Sequence, residues 1–280
     1  MRTLTVGATG YIGSALFSAA SSIGVARGSS STGRNGLLSL RLDAIGEFDF
    51  NQIFPGEVVL FTAAVSAPDL CERDRARARL VNVTGAEEFI KRAMDRGARV
   101  IFFSSDAVYG EGGDGFDEST ACKPIGGYAE MKLEIERRFA DEQAFKAIRL
   151  SYVFSKEDKF TCYLVNCWRN RVEADLFHPF FRAVIHRDDV VRGALELALR
   201  WDDFPMQVIN FGGPTVLSRV DFAEILRESC LPGLRFNVTE PAVEFFANRP
   251  RVIAMRSPLL AELLGRPPIT LREAALKEFS

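Results

Sequence analysis

Apolar residues in the first half of the chain come in short unbroken runs, separated by stretches in which they return every three or four positions. Arg2 to Val6, Val25 to Ser29, Glu57 to Ala64, Arg99 to Phe103 and Lys146 to Leu150 read as strands. The run from Val58 to Val65 is broken only by Thr62, a pattern expected of a strand covered on both faces. Leu80, Val83, Ala86, Ile90 and Ala93 recur at helical spacing and form one buried stripe, interrupted by the polar Asn82. Strands alternating with helices predict an α/β chain with a parallel sheet. Leu40 to Asp43 is a further short strand by the same reading, and Gly110 to Gly115 reads as a mobile loop from its glycines. After Val153 the alternation is lost, although Val208 to Gly213 again has the pattern of a strand and turn.

The first strand runs straight into Gly7-Ala8-Thr9-Gly10-Tyr11-Ile12-Gly13 and then into a segment of helix-forming composition. Strand, glycine turn, helix is the context of a phosphate-binding turn, because glycine permits close approach of the backbone and the helix N-terminus offers free N–H donors. The spacing is Gly-x-x-Gly-x-x-Gly, so Gly7, Thr9, Gly10, Tyr11, Ile12 and Gly13 are candidate dinucleotide contacts. No Asp or Glu precedes Asp43, whereas an NAD site usually places one about 20 residues past the turn to hold the ribose. Arg27, Arg34 and the serine run 29–31 stand there instead. NADP is therefore favoured over NAD, with NAD left open and Ser31 and Arg34 as phosphate contacts. The small residues Ala63 and Ala64 close the fourth strand and allow a cofactor to lie against the backbone.

Charge adds only exclusions. A formal net charge of −2 leaves no footprint for nucleic acid or for a polybasic membrane surface. The five scattered cysteines and two histidines make neither a disulfide framework nor a metal site, so free thiols and no bound metal are expected. No apolar run approaches the length of a membrane span, and the strand-like start leaves no signal peptide, which together read as cytoplasmic. The arginine-rich stretch 71–79 alternates with acids and alanines, as a solvated or subunit-facing helix does, and a homodimer fits that reading.

The strand ending at Phe103 delivers Ser104-Ser105-Asp106 to its carboxyl end, where open parallel sheets bind ligands. Further on, Tyr128 and Lys132 are four residues apart and share one helical face. A tyrosine hydroxyl beside a fixed ammonium is expected to ionise more easily and to act as a general acid/base. Ser105 supplies a hydroxyl that orients a carbonyl oxygen toward it.

Taken in order, the glycine turn, Asp43, Ala63-Ala64, Asn82, Ser105 and Tyr128-x-x-x-Lys132 resemble the extended short-chain dehydrogenase/reductase family. Ser104-Ser105-Asp106-Ala107-Val108-Tyr109 and Arg249-Pro250 are most similar to its dTDP-4-dehydrorhamnose reductase branch. The resemblance implies a Rossmann-like doubly wound parallel sheet with a smaller C-terminal substrate-binding lobe. Residues 1–150 and 184–211 would form the first, and residues 151–183 and 212–280 the second. It implies reduction of a nucleotide-activated 4-keto sugar, with hydride from NADPH, Tyr128 as proton donor, Lys132 on the nicotinamide ribose, and Ser105 on the carbonyl oxygen. It further implies substrate contacts from Ser105, Asp106, Tyr128 and Arg182, the last facing a diphosphate. Ala107 stands where the related dehydratases carry Glu, which argues against dehydration, and His178 is too loosely placed to supply an epimerase's second acid/base. A nucleotide-sugar 4-epimerase and a non-catalytic cofactor-binding regulatory subunit remain the alternatives.

Overall fold

A computed structural model describes residues 1–280. Seven parallel strands form the main sheet: β1 (Arg2–Val6), β2 (Val25–Ser30), β3 (Leu38–Ser39), β4 (Val58–Phe61), β5 (Arg99–Phe103), β6 (Phe145–Leu150) and β7 (Val208–Phe211). Their spatial order is β7-β6-β5-β4-β1-β2-β3, with β1 hydrogen-bonded to both β2 and β4. The order reverses at β1, so a crevice opens beyond the carboxyl ends of β1 and β4. This is a Rossmann-like, doubly wound α/β fold.

The unbroken apolar runs follow from the two-residue strand period and two covered faces. Val59, Phe61, Val100 and Phe102 point into one core, with Phe89 and Ile90 of the helix Ala86–Asp95 and Met131 and Ile135 of the helix Gly127–Arg138. Val58, Leu60, Ile101 and Phe103 point to the other, against the helices Tyr11–Ile23, Arg187–Leu199 and Pro258–Leu264. A third core lies in the C-terminal part, where Phe154, Phe160, Leu164, Phe222 and Leu226 pack together.

Several expectations change at this level. Leu40 to Asp43 is not a strand. β3 ends at Ser39, and Leu42–Glu47 coils into 3-10 turns. A Cβ on Gly85 would lie 2.0 Å from the Leu42 carbonyl oxygen, so the following helix closes onto that turn through a residue without a side chain. The segment Gly110 to Gly115 is not simply a loop, because Gly112–Phe116 forms a strand parallel to Val252–Met255. The division of the chain by sequence is thereby crossed twice. Gly112–Phe116 joins the four-stranded sheet of the C-terminal part, and Pro258–Leu264 packs on the core of the main sheet. Arg219–Ser229 and Pro258–Leu264 are helices. No helix is long and apolar enough to cross a membrane.

Candidate active site

The crevice begins at the glycine turn. Gly7 takes a φ of +89°, which a side chain would strain. A Cβ at Gly13 would stand 2.1 Å from the Gly7 carbonyl oxygen, so the helix starts directly against the turn. Gly10 is its N-cap, with neither a capping side chain nor an acidic residue in the first turn. The amide donors and positive dipole end therefore face the crevice unopposed, as a pyrophosphate requires. Tyr11 is anchored sideways by its hydroxyl, which donates to Ser155 Oγ at 2.8 Å.

From this turn a cleft of about 600 Å³ runs to the helix Gly127–Arg138. Its walls include Gly7, Thr9, Gly10, Tyr11, Ile12, Gly13, Ser31, Asp43, Ala63, Ala64, Tyr128 and Lys132. Arg34 is not among the lining residues, and Arg41 and Arg77 are. Arg27 is withdrawn altogether. Its guanidinium pairs with the buried Glu57 at 2.7 Å and donates to the Gln52 carbonyl at 2.6 Å, toward the opposite end of the sheet. Arg41 Nε lies 3.3 Å from Asp43 Oδ1, so the cation and the acid at this end of the cleft are neighbours.

At the other end, β5 leads into Ser104, which lines the cleft, and Ser105, which does not; the Ser105 hydroxyl accepts from Ala107 N at 3.2 Å and caps the short turn Asp106–Tyr109. Tyr128 is half-buried in the first turn of its helix. Burial raises its phenol above the ordinary value, the charges of Asp106 and Cys71 add to that, and the Ser105 hydroxyl opposes it. The expectation that Lys132 eases Tyr128 ionisation is not met. Lys132 Nζ donates to the Phe103 carbonyl at 2.6 Å and lies 4.4 Å from the Phe102 ring centroid, against 5.9 Å for the Tyr128 ring. The ammonium is thus spent on a main-chain oxygen. It is itself 3% exposed, and burial pushes it down to about 8 while Glu136 and Cys71 hold it up.

Asn82 is a scaffold amide. It sits in a π-helical turn, Leu80–Gly85, where its Oδ1 accepts from Val65 N at 2.8 Å and its Nδ2 donates to Val65 O at 2.9 Å. It thereby clamps the segment after β4 that carries Ala63 and Ala64. Asp106 is buried and raised by burial, with Arg182, Ser151 and Ser105 pulling the other way; Ser151 Oγ donates to it at 2.8 Å.

Arg182 lies outside this cleft, on the strand Phe181–Ala183 of the C-terminal part. Its Nε is 3.9 Å from Asp106 Oδ2, and its other nitrogens donate to the carbonyls of Phe181 and Pro250 at 2.6 and 2.8 Å. It stacks over Phe180 at 4.2 Å, and Arg219 stands over the same ring at 4.9 Å. Burial lowers Arg182 to about 10, Asp106 opposes this, and Arg219 and Arg249 add to it.

The model of the RmlD substrate binding domain family matches residues 1–279. The chain belongs to that family. Its relatives include dTDP-4-dehydrorhamnose reductase of Escherichia coli K12, 29% identical over 52% of this chain and 51% of the relative. Methionine adenosyltransferase 2 subunit beta of Xenopus laevis is 28% identical over 53% of this chain and 46% of the relative. The chain thus aligns with about half the length of these curated relatives. Among solved structures, UDP-glucuronic acid 4-epimerase from Bacillus cereus, in complex with a UDP-sugar and NAD, superposes with a TM-score of 0.82 at 17% identity. It covers 100% of this chain and 98% of its own, a likeness of fold.

Within this RmlD-type chain the sequence missed Arg41, Arg77 and Arg219. Arg41 was hidden inside an expected strand, and Arg77 sat in a stretch read as solvated surface. Arg219 opens a helix, and its only sequence signal was a charge after Ser218.

Proposed function

We propose that the chain is an NADP(H)-dependent reductase of a nucleotide-activated 4-keto deoxysugar. The observation that carries this is that Tyr128 and Lys132 line the far end of a cleft that begins on the glycine turn, with the Ser105 hydroxyl beside the Tyr128 phenol. The cleft suits a nicotinamide dinucleotide: the uncapped helix N-terminus suits the pyrophosphate, Ala63 and Ala64 leave the wall flat, and Arg41 with Ser31 stands at the adenosine end. Bound there, the dinucleotide supplies hydride to the carbonyl carbon.

The chain's own groups do the rest. The Ser105 hydroxyl holds the carbonyl oxygen. The Tyr128 phenol is kept protonated by burial, so it enters the reaction as an acid and donates its proton to the developing alkoxide. Lys132 holds the nicotinamide ribose and offers its charge to the phenolate that remains, once ligand contacts draw the ammonium away from the Phe103 carbonyl. Asp106 and the guanidiniums of Arg182 and Arg219 bind the sugar and its diphosphate, with Phe180 as an apolar face. Both the family and the Escherichia coli relative named above favour this reading. The Xenopus relative is a subunit of another enzyme, but a regulatory protein has no need of all three of Ser105, Tyr128 and Lys132.

Mixing the purified protein with NADPH and a dTDP-linked 4-keto-6-deoxysugar decides between the readings. One NADPH oxidised per sugar reduced is the expected result. Sugar interconverted at its 4-position without net oxidation of cofactor would make the chain an epimerase, and cofactor binding with no turnover of any sugar nucleotide would make it a regulatory subunit.

A further inference from the structure

The helix Gly127–Arg138 carries a second charged residue into the core, one turn beyond Lys132 on the same face. Glu136 is 4% exposed. Its carboxylate accepts from the Ser104 hydroxyl and from Arg149, whose Nε and Nη2 stand 3.0 and 2.7 Å away. Ser104 follows Phe103, the residue whose carbonyl receives the Lys132 ammonium. The carboxylate therefore fastens the strand end that anchors the lysine. A buried ion pair is a poor way to stabilise a core, because an apolar pair of the same volume does as well or better. Its position behind Lys132 suggests another use.

The surroundings of Lys132 isolate that use. From its own helix it faces Tyr128 and Glu136, from Pro68–Arg73 it faces the Cys71 thiol, and from β5 the Phe103 carbonyl. Asp106 acts on Tyr128, and Arg149 is engaged by Glu136. Glu136 is thus the carboxylate whose charge bears on the ammonium.

We propose that Glu136 is a positioning residue for Lys132: its carboxylate keeps the ammonium charged at the floor of the cleft and, through Ser104, holds the strand end to which that ammonium is bound. The consequence for turnover rests on the reading of Lys132 given above, whereas the charge state of the lysine does not. The sign is fixed by the opposing effects. Burial drives Lys132 down to about 8, the carboxylate resists, and its removal lets the value fall further. Lys132 would then lose its proton nearer neutrality.

Lys132 lines the cleft, so a small acylating reagent reaches it. Competitive labelling of the whole chain with acetic anhydride across pH, read by mass spectrometry on the peptide containing Lys132, gives its titration midpoint without cofactor or substrate. The wild-type midpoint is expected near 8. In Glu136→Gln it should fall by at least about one pH unit, and Glu136→Asp should restore most of the difference. An unchanged midpoint in Glu136→Gln overturns the proposal. Because that variant leaves Arg149 without its counter-charge, the double variant Glu136→Gln/Arg149→Gln serves if the single one does not fold. A downward shift is expected there too, and an unmoved midpoint is equally fatal. The alkaline limb of kcat should move with the labelling midpoint. If labelling shifts while wild-type turnover has no such limb, the role given to Lys132 in the reaction fails and the role of Glu136 stands.

Discussion

Arg149 and Arg182 are both nearly sealed from solvent, at 7% and 11% side-chain exposure, and both lie over an aromatic ring, Tyr109 at 4.8 Å and Phe180 at 4.2 Å. Their partners differ. Arg149 meets Glu136 through two nitrogens, a charge-assisted geometry among the stronger ones available. Arg182 meets main-chain carbonyls, and its nearest carboxylate, Asp106, is 3.9 Å away and already receives Ser151. Burial pulls both guanidiniums down. Glu136 and Tyr109 more than offset that for Arg149, which ends above its ordinary value, whereas Arg182 ends at about 10 with Arg219 and Arg249 pressing on it. One cation is therefore neutralised within the chain. The other has no carboxylate closer than 3.9 Å and stands beside Arg219 and Arg249, of which Arg249 pairs with Asp69, so its guanidinium is the less firmly committed of the two and suits an anionic ligand.

Tyr128 stands between these two environments, and its loss is expected to have the largest effect. Tyr128→Phe removes the hydroxyl proposed as the proton donor and leaves the cleft wall intact. Turnover should fall by about 10²–10⁴-fold with dinucleotide affinity nearly unchanged. Single-turnover kinetics beside a fluorescence titration of NADPH checks both halves. Near-normal turnover would remove the phenol from the mechanism.

The contrast between the two arginines is tested next. Arg149→Met leaves a buried carboxylate alone, which costs about 3–5 kcal/mol. Urea unfolding should show this loss. Arg182→Met should lower the unfolding midpoint less, because it strands main-chain carbonyls and not a closely paired carboxylate, and on the proposed reading it also removes contacts to a charged ligand worth about 1.5–3 kcal/mol. That corresponds to roughly 10- to 100-fold weaker binding of a nucleoside diphosphate by calorimetry. If Arg182→Met is the more destabilising of the two and binds nucleotide normally, the distinction collapses.

The same contrast explains how much was legible in the sequence. The main sheet was readable because local patterns decide it: Val58 to Phe61 can only be a doubly covered strand, and Gly7 to Gly13 can only turn tightly. Tyr128 and Lys132 were readable because four residues is one helical turn. What Lys132 bonds to was not, because Phe103 is 29 residues away and its carbonyl carries no sequence signal. Gly112–Phe116 escaped for a like reason. Its composition is that of a loop, and it becomes a strand through a partner, Val252–Met255, near the other end of the chain. Arg182 and Arg219 meet over one phenyl ring only after the small lobe has folded.

A smaller version of the comparison lies in the cleft at the glycine turn and carries the smallest expected effect. Arg27 and Arg41 both follow the glycine turn at distances suited to a ribose phosphate, and sequence spacing cannot choose between them. Arg27 is committed to the fully buried Glu57 and cannot turn away without stranding that charge. Arg41 is half-exposed and held only by the exposed-side contact with Asp43 at 3.3 Å, so it can exchange that partner for a 2′-phosphate. Arg34, named from the sequence, does not line the cleft. An exposed ion pair is worth about 0.2–1 kcal/mol, so Arg41→Met should weaken NADPH by up to about fivefold and leave NADH unchanged. Arg34→Met should change neither. Parallel titrations of both dinucleotides against both variants measure this, and a loss of NADPH affinity in Arg34→Met with none in Arg41→Met would return the phosphate to the loop where the sequence first placed it.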